Sequence, residues 1–262
     1  MLTAVLLPYN NQNQYESMYL LISGSTSGIG QYLAVQLSKE YNLILNGRNG
    51  EKLSKTLNLC DKGKQHLIWK FDLNNIEHLD SNLTEFLQIN NIQVTTFIHC
   101  AGFLKMLPLK TMSLNVIQET MNTNFFSSVM IIKTLINKKA NDSALQNVVQ
   151  ISSTASIRGA KAFNIYSASK GAMDAMMRSL AVELAPKVRL NSVLPGGVQT
   201  QMTDTMFNDS ELIEKMSKDY PLGLGFPHDI YEMVNFLISE KSRWITGQQF
   251  VVDGGRSINI SA

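Results

Sequence analysis

Short apolar segments alternate along the chain with longer stretches in which apolar residues recur every three or four positions. The apolar segments predict seven buried strands, at about residues 19–23, 43–45, 67–69, 94–98, 147–151, 188–193 and 249–252. The periodic stretches predict helices at about residues 28–40, 50–59, 79–87, 113–138, 164–184 and 233–237. Strands that alternate with helices are typical of a parallel sheet covered on both faces. The pattern therefore predicts an α/β fold in three layers, α/β/α.

The length and composition of the chain favour one folded unit. It has 262 residues, of which 44% are hydrophobic, and this is enough to bury one core. We find no internal repeat and no linker rich in proline, glycine or serine in the sequence. Residues 1–17 include a polar segment and predict a flexible lead-in, so we expect a single domain over residues 18–262.

Charge and cysteine content bear on partners and location. The net charge of +2 gives no strong field, so we expect no nucleic-acid partner. Because no apolar run approaches the roughly 20 residues that span a bilayer, and the apolar start lacks the features of a signal peptide, we expect no membrane association. Two cysteines indicate a reducing compartment, hence a cytoplasmic location. The four histidines lack metal-ligand spacing, so we expect no metal.

A glycine-rich segment joins the first predicted strand to the first predicted helix. Gly24 permits a tight turn, and Gly28 and Gly30 permit close backbone approach to a ligand. The N-terminus of the following helix offers free N–H groups and a positive dipole end to a pyrophosphate. We therefore expect a nucleotide here, and a glycine-rich turn without a ligand is the alternative. The residues expected to contact it are Gly24, Ser25, Ser27, Gly28, Ile29 and Gly30.

The end of the second predicted strand bears on which nucleotide binds. An acidic residue about 20 positions after the glycines usually binds the ribose hydroxyls of NAD, but Gly47 and Arg48 stand in that neighbourhood. A guanidinium suits a 2′-phosphate, so Arg48 favours NADP over NAD, with an ordinary exposed arginine as the alternative. After the third strand, we expect Asp72 and Leu73 to contact the adenine, although Asp72 could equally cap the next helix.

A tyrosine and a lysine four residues apart, Tyr166 and Lys170, share one face of a predicted helix. A phenol has an ordinary pKa near 10, and a nearby ammonium lowers that pKa toward the range that suits a general acid or base. Ser153 follows the preceding strand, and its hydroxyl could hydrogen-bond a substrate oxygen beside the tyrosine. The alternative is a surface pair on a helix without any catalytic role.

Several motifs occur in one order and resemble the short-chain dehydrogenase/reductase family. They are the pattern Gly24, Gly28, Gly30, the spacing from Ser153 to Tyr166, the segment from Tyr166 to Lys170, the segment from Leu194 to Thr200, and the segments Ile245 to Gln248 and Val252 to Gly255. The resemblance runs from about Tyr19 to Arg256. It implies a Rossmann-like, doubly wound parallel sheet with a single NAD(P) site.

The same resemblance implies roles for individual residues. Tyr166 would be the acid/base, Lys170 would hold the nicotinamide ribose and tune the tyrosine, and Ser153 would orient a carbonyl or alcohol. Asn124 matches the family asparagine that supports a proton-relay water. Further cofactor contacts are expected from Ala101, Gly102, Pro195, Gly196, Val198 and Thr200. Members often form homodimers or homotetramers, and we expect such an assembly to be built largely on the helices at 113–138 and 164–185. The outer face of the second carries Met173, Met176, Met177 and Leu180, and the alternative is that these methionines face only the sheet of their own monomer.

One loop departs from the family pattern. The family's Asn-Asn-Ala-Gly after the fourth strand is His99, Cys100, Ala101 and Gly102 here. His99 and Cys100 cannot reproduce two carboxamides, although Ala101 and Gly102 still allow close approach to a ribose.

The function we predict is NAD(P)-dependent hydride transfer between nicotinamide and a carbonyl or alcohol carbon, in the direction of NADPH-dependent reduction of a ketone or 3-oxoacyl substrate. The motifs resemble 3-oxoacyl-carrier-protein reductases, but they are shared widely across the family. One alternative is a nucleotide-bound regulatory or scaffold protein without turnover, and another is an epimerase or dehydratase of related fold. We also expect residues 201–225 to form a mobile cover over the nicotinamide, with a permanently packed pair of helices as the alternative.

Overall fold

The computed structural model describes residues 18–200 and 218–259, and in them seven parallel strands form one sheet. The strands are β1 (Met18–Ser23), β2 (Leu43–Gly47), β3 (His66–Lys70), β4 (Gln93–His99), β5 (Asn147–Ile151), β6 (Arg189–Pro195) and β7 (Gln249–Val252). Their order across the sheet is β3-β2-β1-β4-β5-β6-β7. The helices are α1 (Gly28–Leu37), α2 (Gly50–Leu59), α3 (Ile76–Asn90), α4 (Leu114–Met121), α5 (Ser127–Ile136), α6 (Lys138–Asn141), α7 (Asn164–Glu183) and α8 (Pro227–Ile238). The predicted Rossmann-like α/β fold is confirmed.

Helices cover both faces of the sheet, and this explains the uninterrupted apolar runs of the central strands. On one face Leu21 is buried in the same apolar cluster as Leu83 of α3. On the other face Ile22 is buried with Leu33 of α1 and Val234 of α8. Because neighbouring residues of a strand point to opposite faces, each central strand needs apolar side chains at consecutive positions.

The strand order reverses between β1 and β4, which lie side by side although β2 and β3 come between them in sequence. At such a reversal the connections leave the sheet in opposite directions, and a crevice opens beyond the carboxyl ends of the strands. The glycine-rich loop after β1 and the loop that begins with Cys100 after β4 meet at this crevice. The topology therefore places two of the predicted motifs together.

The predicted helix at 113–138 is interrupted. A π-helical turn at Asn122–Phe126 separates α4 from α5, and α5 ends at Ile136. Apolar periodicity does not reveal such a turn, because one extra residue in the helical ladder hardly alters the local pattern. The turn contains Asn124, one of the predicted catalytic residues.

The predicted outer methionine face of α7 is wrong. Met173 and Met177 are fully buried within the chain itself, and Met176 and Leu180 pack partly buried against the core beneath α7. The helix is apolar because it covers the sheet, which the periodicity alone could not distinguish from a contact with a second subunit. Two further predictions concern segments outside the described residues, namely the lead-in at 1–17 and residues 201–217 of the expected cover.

Candidate active site

A cavity of about 540 Å³ opens at the carboxyl edge of the sheet. Its walls come from the segments that follow β1, β2, β3, β4, β5 and β6, together with α7. Most residues predicted for the site line it: Gly24, Ser27, Gly28, Ile29, Gly30, Arg48, Asp72, Leu73, Ala101, Gly102, Ser153, Tyr166, Lys170, Pro195, Gly196, Val198 and Thr200. Ser25 and Asn124 are not in the lining.

Close backbone packing shapes the glycine-rich end of the cavity. Gly24 has a φ of +68°, and a Cβ added to it would lie 2.6 Å from Cα of Ala101. A Cβ on Gly30 would overlap the carbonyl oxygen of Gly24. Within the described chain the side chain of Ser27, the N-cap residue, makes no capping hydrogen bond to α1. The first N–H groups of this helix are therefore available to an anion in the cavity, and the residues present fit a pyrophosphate.

Ser25, a predicted cofactor contact, hydrogen-bonds to β2 and is not among the residues that line the cavity. Its side chain is fully buried, and its hydroxyl donates to the backbone oxygen of Asn46 at 3.0 Å. The backbone N–H of Ser25 donates to the same oxygen at 3.0 Å. The residue thus fastens the glycine-rich loop to β2, and its contact with a cofactor stays a prediction.

Charged side chains surround the cavity where β2 and β3 end. Arg48 is about two-thirds exposed, and its Nη1 lies 3.9 Å from Oε1 of Glu119 on α4. Lys52 and Glu119 also line the cavity, and neither was among the predicted residues. Lys52 could have been found, because it lies four residues after Arg48 at the start of α2. Glu119 could not, because the fold alone brings α4 to this wall.

Asp72 does not cap α3, because the N-cap of that helix is Asn75. Oδ1 of Asp72 accepts the backbone N–H of Asn74 at 3.0 Å, which helps to turn the chain into α3. The residue also lines the cavity, next to Leu73. Local hydrogen bonding therefore holds the Asp72 side chain at the cavity wall without removing it from reach of a ligand.

Ser153, Tyr166 and Lys170 meet at the other end of the cavity. Tyr166 and Lys170 stand one turn apart in the first half of α7, and the Lys170 ammonium lies 5.7 Å from the centroid of the Tyr166 ring. Lys170 is buried and its Nζ donates to the backbone oxygen of Ile151 at 2.8 Å. Ser153 follows β5, its Oγ accepts the N–H of Ala155 at 3.1 Å, and its hydroxyl also hydrogen-bonds the Tyr166 phenol.

Asn124 stands behind the cavity wall, where the π-helical turn holds it fully buried. Its Oδ1 accepts the N–H of Phe103 at 2.6 Å, and its Nδ2 donates to the oxygen of Phe103 at 3.1 Å. The same Nδ2 donates to Oγ of Ser169 at 2.9 Å, and Ser169 donates to the backbone oxygen of Tyr166 at 2.7 Å. Asn124 therefore joins the β4 loop to α7 beside the tyrosine.

His99 places an imidazole where the family has a carboxamide, and its hydrogen bonds join three segments of the chain. Its Nδ1 lies 2.9 Å from Oγ of Ser23, and its Nε2 lies 3.1 Å from the backbone oxygen of Asn124. A carbonyl oxygen only accepts, so Nε2 carries the proton and Nδ1 accepts from the Ser23 hydroxyl. That hydroxyl also accepts the N–H of Ala101 at 3.2 Å. The unusual residue thus connects β1, the β4 loop and the π-helical turn.

Sequence and structure comparisons agree with this geometry. A family model described as Enoyl-(Acyl carrier protein) reductase matches residues 24–257. A solved short-chain type dehydrogenase/reductase from Mycobacterium ulcerans superimposes with a TM-score of 0.83 at 26% identity, covering 92% of this chain and 90% of that one. This chain belongs to the short-chain dehydrogenase/reductase family.

Further relatives of this short-chain dehydrogenase/reductase come from both kinds of comparison. The 3-oxoacyl-[acyl-carrier-protein] reductase FabG of Rickettsia bellii is 32% identical over 238 residues, covering 90% of this chain and 95% of the relative. A solved 4-hydroxyisoleucine dehydrogenase complexed with NADH has a TM-score of 0.85 at 25% identity, covering 92% of this chain and 99% of that one. The predicted class, an oxidoreductase of this family, is confirmed.

Burial controls the electrostatics of this short-chain dehydrogenase/reductase site. It raises the pKa of Tyr166 to about 12, and the hydrogen bond with Ser153 opposes part of the rise. It lowers the pKa of Lys170 to about 8, against the opposing charge of Asp174. The expected lowering of the tyrosine pKa by the lysine is therefore wrong for this structure. The ammonium lies against the ring and donates to Ile151, so desolvation of the phenol outweighs its attraction for a phenolate.

The two residues that depart from the family pattern are electrically neutral at pH 7. Burial, followed by the charge of Lys170, lowers the pKa of His99 to about 3. Burial raises the pKa of the Cys100 thiol to about 12, although Cys100 lines the cavity. Because the thiolate is the reactive form of cysteine, this environment does not activate Cys100 as a nucleophile.

Within residues 18–200 and 218–259, no three His, Cys, Asp or Glu side chains are grouped so that they could hold a metal ion. In the same part of the chain, none of the helices combines the length and apolar character needed to cross a membrane.

Proposed function

We propose that this protein is an NADPH-preferring reductase that acts on the carbonyl group of a ketone or a 3-oxoacyl compound. The observation that carries the proposal is the meeting of Ser153, Tyr166 and Lys170 at one end of a cavity whose other end is the glycine-rich loop. A bound nicotinamide cofactor supplies the hydride. The protein supplies binding, orientation and a proton.

Each of the three residues has a task in this reaction. Ser153 hydrogen-bonds the substrate carbonyl oxygen and holds it beside the Tyr166 phenol. A phenol with an ordinary pKa near 10 is protonated at neutral pH, and burial raises the pKa of Tyr166 further, so the residue has a proton to donate to that oxygen during reduction. Lys170 donates to the hydroxyls of the nicotinamide ribose. Asn124 acts from behind the wall by holding Phe103 and Ser169 in place.

Two basic side chains support the preference for NADPH. Arg48 and Lys52 line the cavity beyond β2, in the neighbourhood where we expect the adenosine ribose of the cofactor. A guanidinium binds a phosphate through charge-assisted hydrogen bonds, and a neighbouring ammonium adds positive charge. Glu119 lies 3.9 Å from Arg48 and reduces this preference, because a 2′-phosphate must compete with the carboxylate.

The proposal extends to assembly and location, namely a homodimer or homotetramer in the cytoplasm. With Met173 and Met177 inside the core, support for an oligomer comes from exposed apolar side chains elsewhere. Val182 is 82% exposed and Trp244 is 91% exposed, which is unusual for side chains of this size. Light scattering at micromolar concentration tests the assembly, and a single monomeric species contradicts it.

Oxidation of NADPH and NADH, followed at 340 nm against a panel of ketones, quinones and acyl thioesters, tests the reaction itself. We expect turnover of at least one carbonyl compound, with a lower KM for NADPH than for NADH. The variant Tyr166→Phe serves as the control, because it keeps the ring and removes the proton donor. Tight NADPH binding without turnover of any compound contradicts the proposal and favours the alternative of a regulatory or scaffold protein.

A further inference from the structure

A buried carboxylate lies one helical turn beyond the lysine of the site. Asp174 is 2% exposed and Lys170 is 3% exposed, and both belong to α7 at positions that share one face of the helix. Oδ2 of Asp174 accepts the Ser152 hydroxyl at 2.9 Å. Among the residues that the structure describes, Oδ1 has no hydrogen-bond partner, although it is buried. Since an unsatisfied buried carboxylate is costly, its presence needs a reason.

The charged surroundings of Lys170 supply this reason. The titratable groups that face it are Tyr166 and Asp174 from α7, His99 from β4, and Cys100 from the loop after β4. With pKa values of about 12, 3 and 12, Tyr166, His99 and Cys100 are all neutral at pH 7. In the described part of the chain, Asp174 is therefore the countercharge for the buried ammonium. The segment that follows β5 adds only hydroxyls here, those of Ser152 and Ser153.

We propose that Asp174 is a positioning residue of the site, and that its carboxylate keeps the Lys170 ammonium charged at the pH at which the protein works. The Asp174 carboxylate acts through the electrostatic potential at Nζ, because Nζ itself donates to Ile151. Ser152 holds the carboxylate in this orientation. The inference rests on the proposed function, in which a protonated Lys170 binds the nicotinamide ribose.

Burial lowers the pKa of Lys170, and the charge of Asp174 opposes this lowering. An opposite charge within about 4–6 Å favours the charged form by about one to three pH units. Residues four apart on a helix, such as Lys170 and Asp174, have Cβ atoms about 5–6 Å apart. Without the Asp174 charge, the pKa of Lys170 should therefore fall further below its ordinary value. A neutral Lys170 would donate fewer hydrogen bonds to a ribose and would favour the Tyr166 phenolate less.

The direct test is a titration of Lys170 by NMR, which needs neither cofactor nor turnover. In protein labelled with ¹³C-lysine, the Cε resonance of Lys170 is assigned by its loss in Lys170→Arg. We expect Asp174→Asn, which keeps the shape of the side chain and removes its charge, to lower the midpoint by about one pH unit or more. An unchanged midpoint in Asp174→Asn overturns the inference.

The matched control is Ser152→Ala, which removes the hydrogen bond at Oδ2 and leaves the carboxylate in place. The midpoint of the Lys170 titration should shift less from the wild-type value in Ser152→Ala than in Asp174→Asn. Equal shifts in the two variants would assign the effect to packing rather than charge, and would overturn the inference. If Asp174→Asn does not fold, the double variant Ser152→Ala/Asp174→Leu replaces the pair by apolar groups of similar size, and the same lowered midpoint is expected.

The pH profile of kcat/KM for a compound from the panel provides a second measurement. The fall in kcat/KM at alkaline pH should move to lower pH in Asp174→Asn, by about the shift that NMR measures. An active variant whose profile coincides with that of the wild type contradicts the inference and leaves the proposed function standing. If no compound is turned over, the proposed function fails, while the NMR titration still decides the role of Asp174.

Discussion

Acidification should destabilise the protein through His99, whose ring is fully buried and bonded at both nitrogens. In the folded protein its pKa is lowered from 6.5 to about 3, whereas in the unfolded chain it keeps its ordinary pKa. Below about pH 6.5 the unfolded state binds a proton that the folded state does not accept. The stability that the neutral histidine contributes is therefore present above this pH, and it is lost as the pH falls toward 3.

Protonation of His99 in the unfolded chain sets how much stability is lost at moderately acidic pH. At about pH 5 the folded histidine is still neutral, so the loss corresponds to the 1.5 pH units between 6.5 and 5, or about 2 kcal/mol. His66, whose pKa is also lowered by burial, contributes to the same acid dependence. Because His99→Asn removes the contribution of His99 and keeps that of His66, the difference in acid dependence between the variant and the wild type gives the contribution of His99.

The assay is urea unfolding at about pH 7.5 and pH 5, at one protein concentration so that any assembly affects both equally. His99→Asn, with the carboxamide that the family uses, should be less stable than the wild type at pH 7.5 but should lose about 2 kcal/mol less on acidification. His78→Asn, on the exposed surface of α3, is the matched control and should behave as the wild type. If His99→Asn loses as much stability as the wild type between the two pH values, the tautomer and burial assigned to His99 are wrong.

Three further predictions concern the cavity. Tyr166→Phe should lower kcat by about 10²- to 10⁴-fold, because the proton donor is lost. Its affinity for NADPH, measured by fluorescence titration, should be largely kept. A variant that retains more than half of the wild-type kcat refutes this role of Tyr166. Arg48→Ala should weaken NADPH binding by roughly 10- to 150-fold and NADH binding little, and equal wild-type affinities for the two cofactors would exclude the assigned selectivity. Gly30→Ala should abolish binding of both cofactors, because its Cβ would overlap the oxygen of Gly24; calorimetry that finds normal affinity contradicts the packing described for the loop.

The sequence by itself was sufficient for the seven strands and for most of the cavity lining. The periods of 2 and 3.6 residues are local properties, so a window of ten residues carries them. The relation of Tyr166 to Lys170 is local in the same sense, since positions four apart share a helix face. The glycine-rich loop was recognisable because both of its functions, the tight turn and the helix N-terminus, lie within one short segment.

The tertiary structure alone decided what depends on packing between distant segments. His99 meets Asn124 through a π-helical turn that apolar periodicity does not show, and Asp174 meets Ser152 across the contact of α7 with the segment that follows β5. The direction of the Tyr166 pKa shift also depends on packing between distant segments. A motif indicates which charge lies nearby, but the cost of removing a phenol from water depends on every atom packed around it.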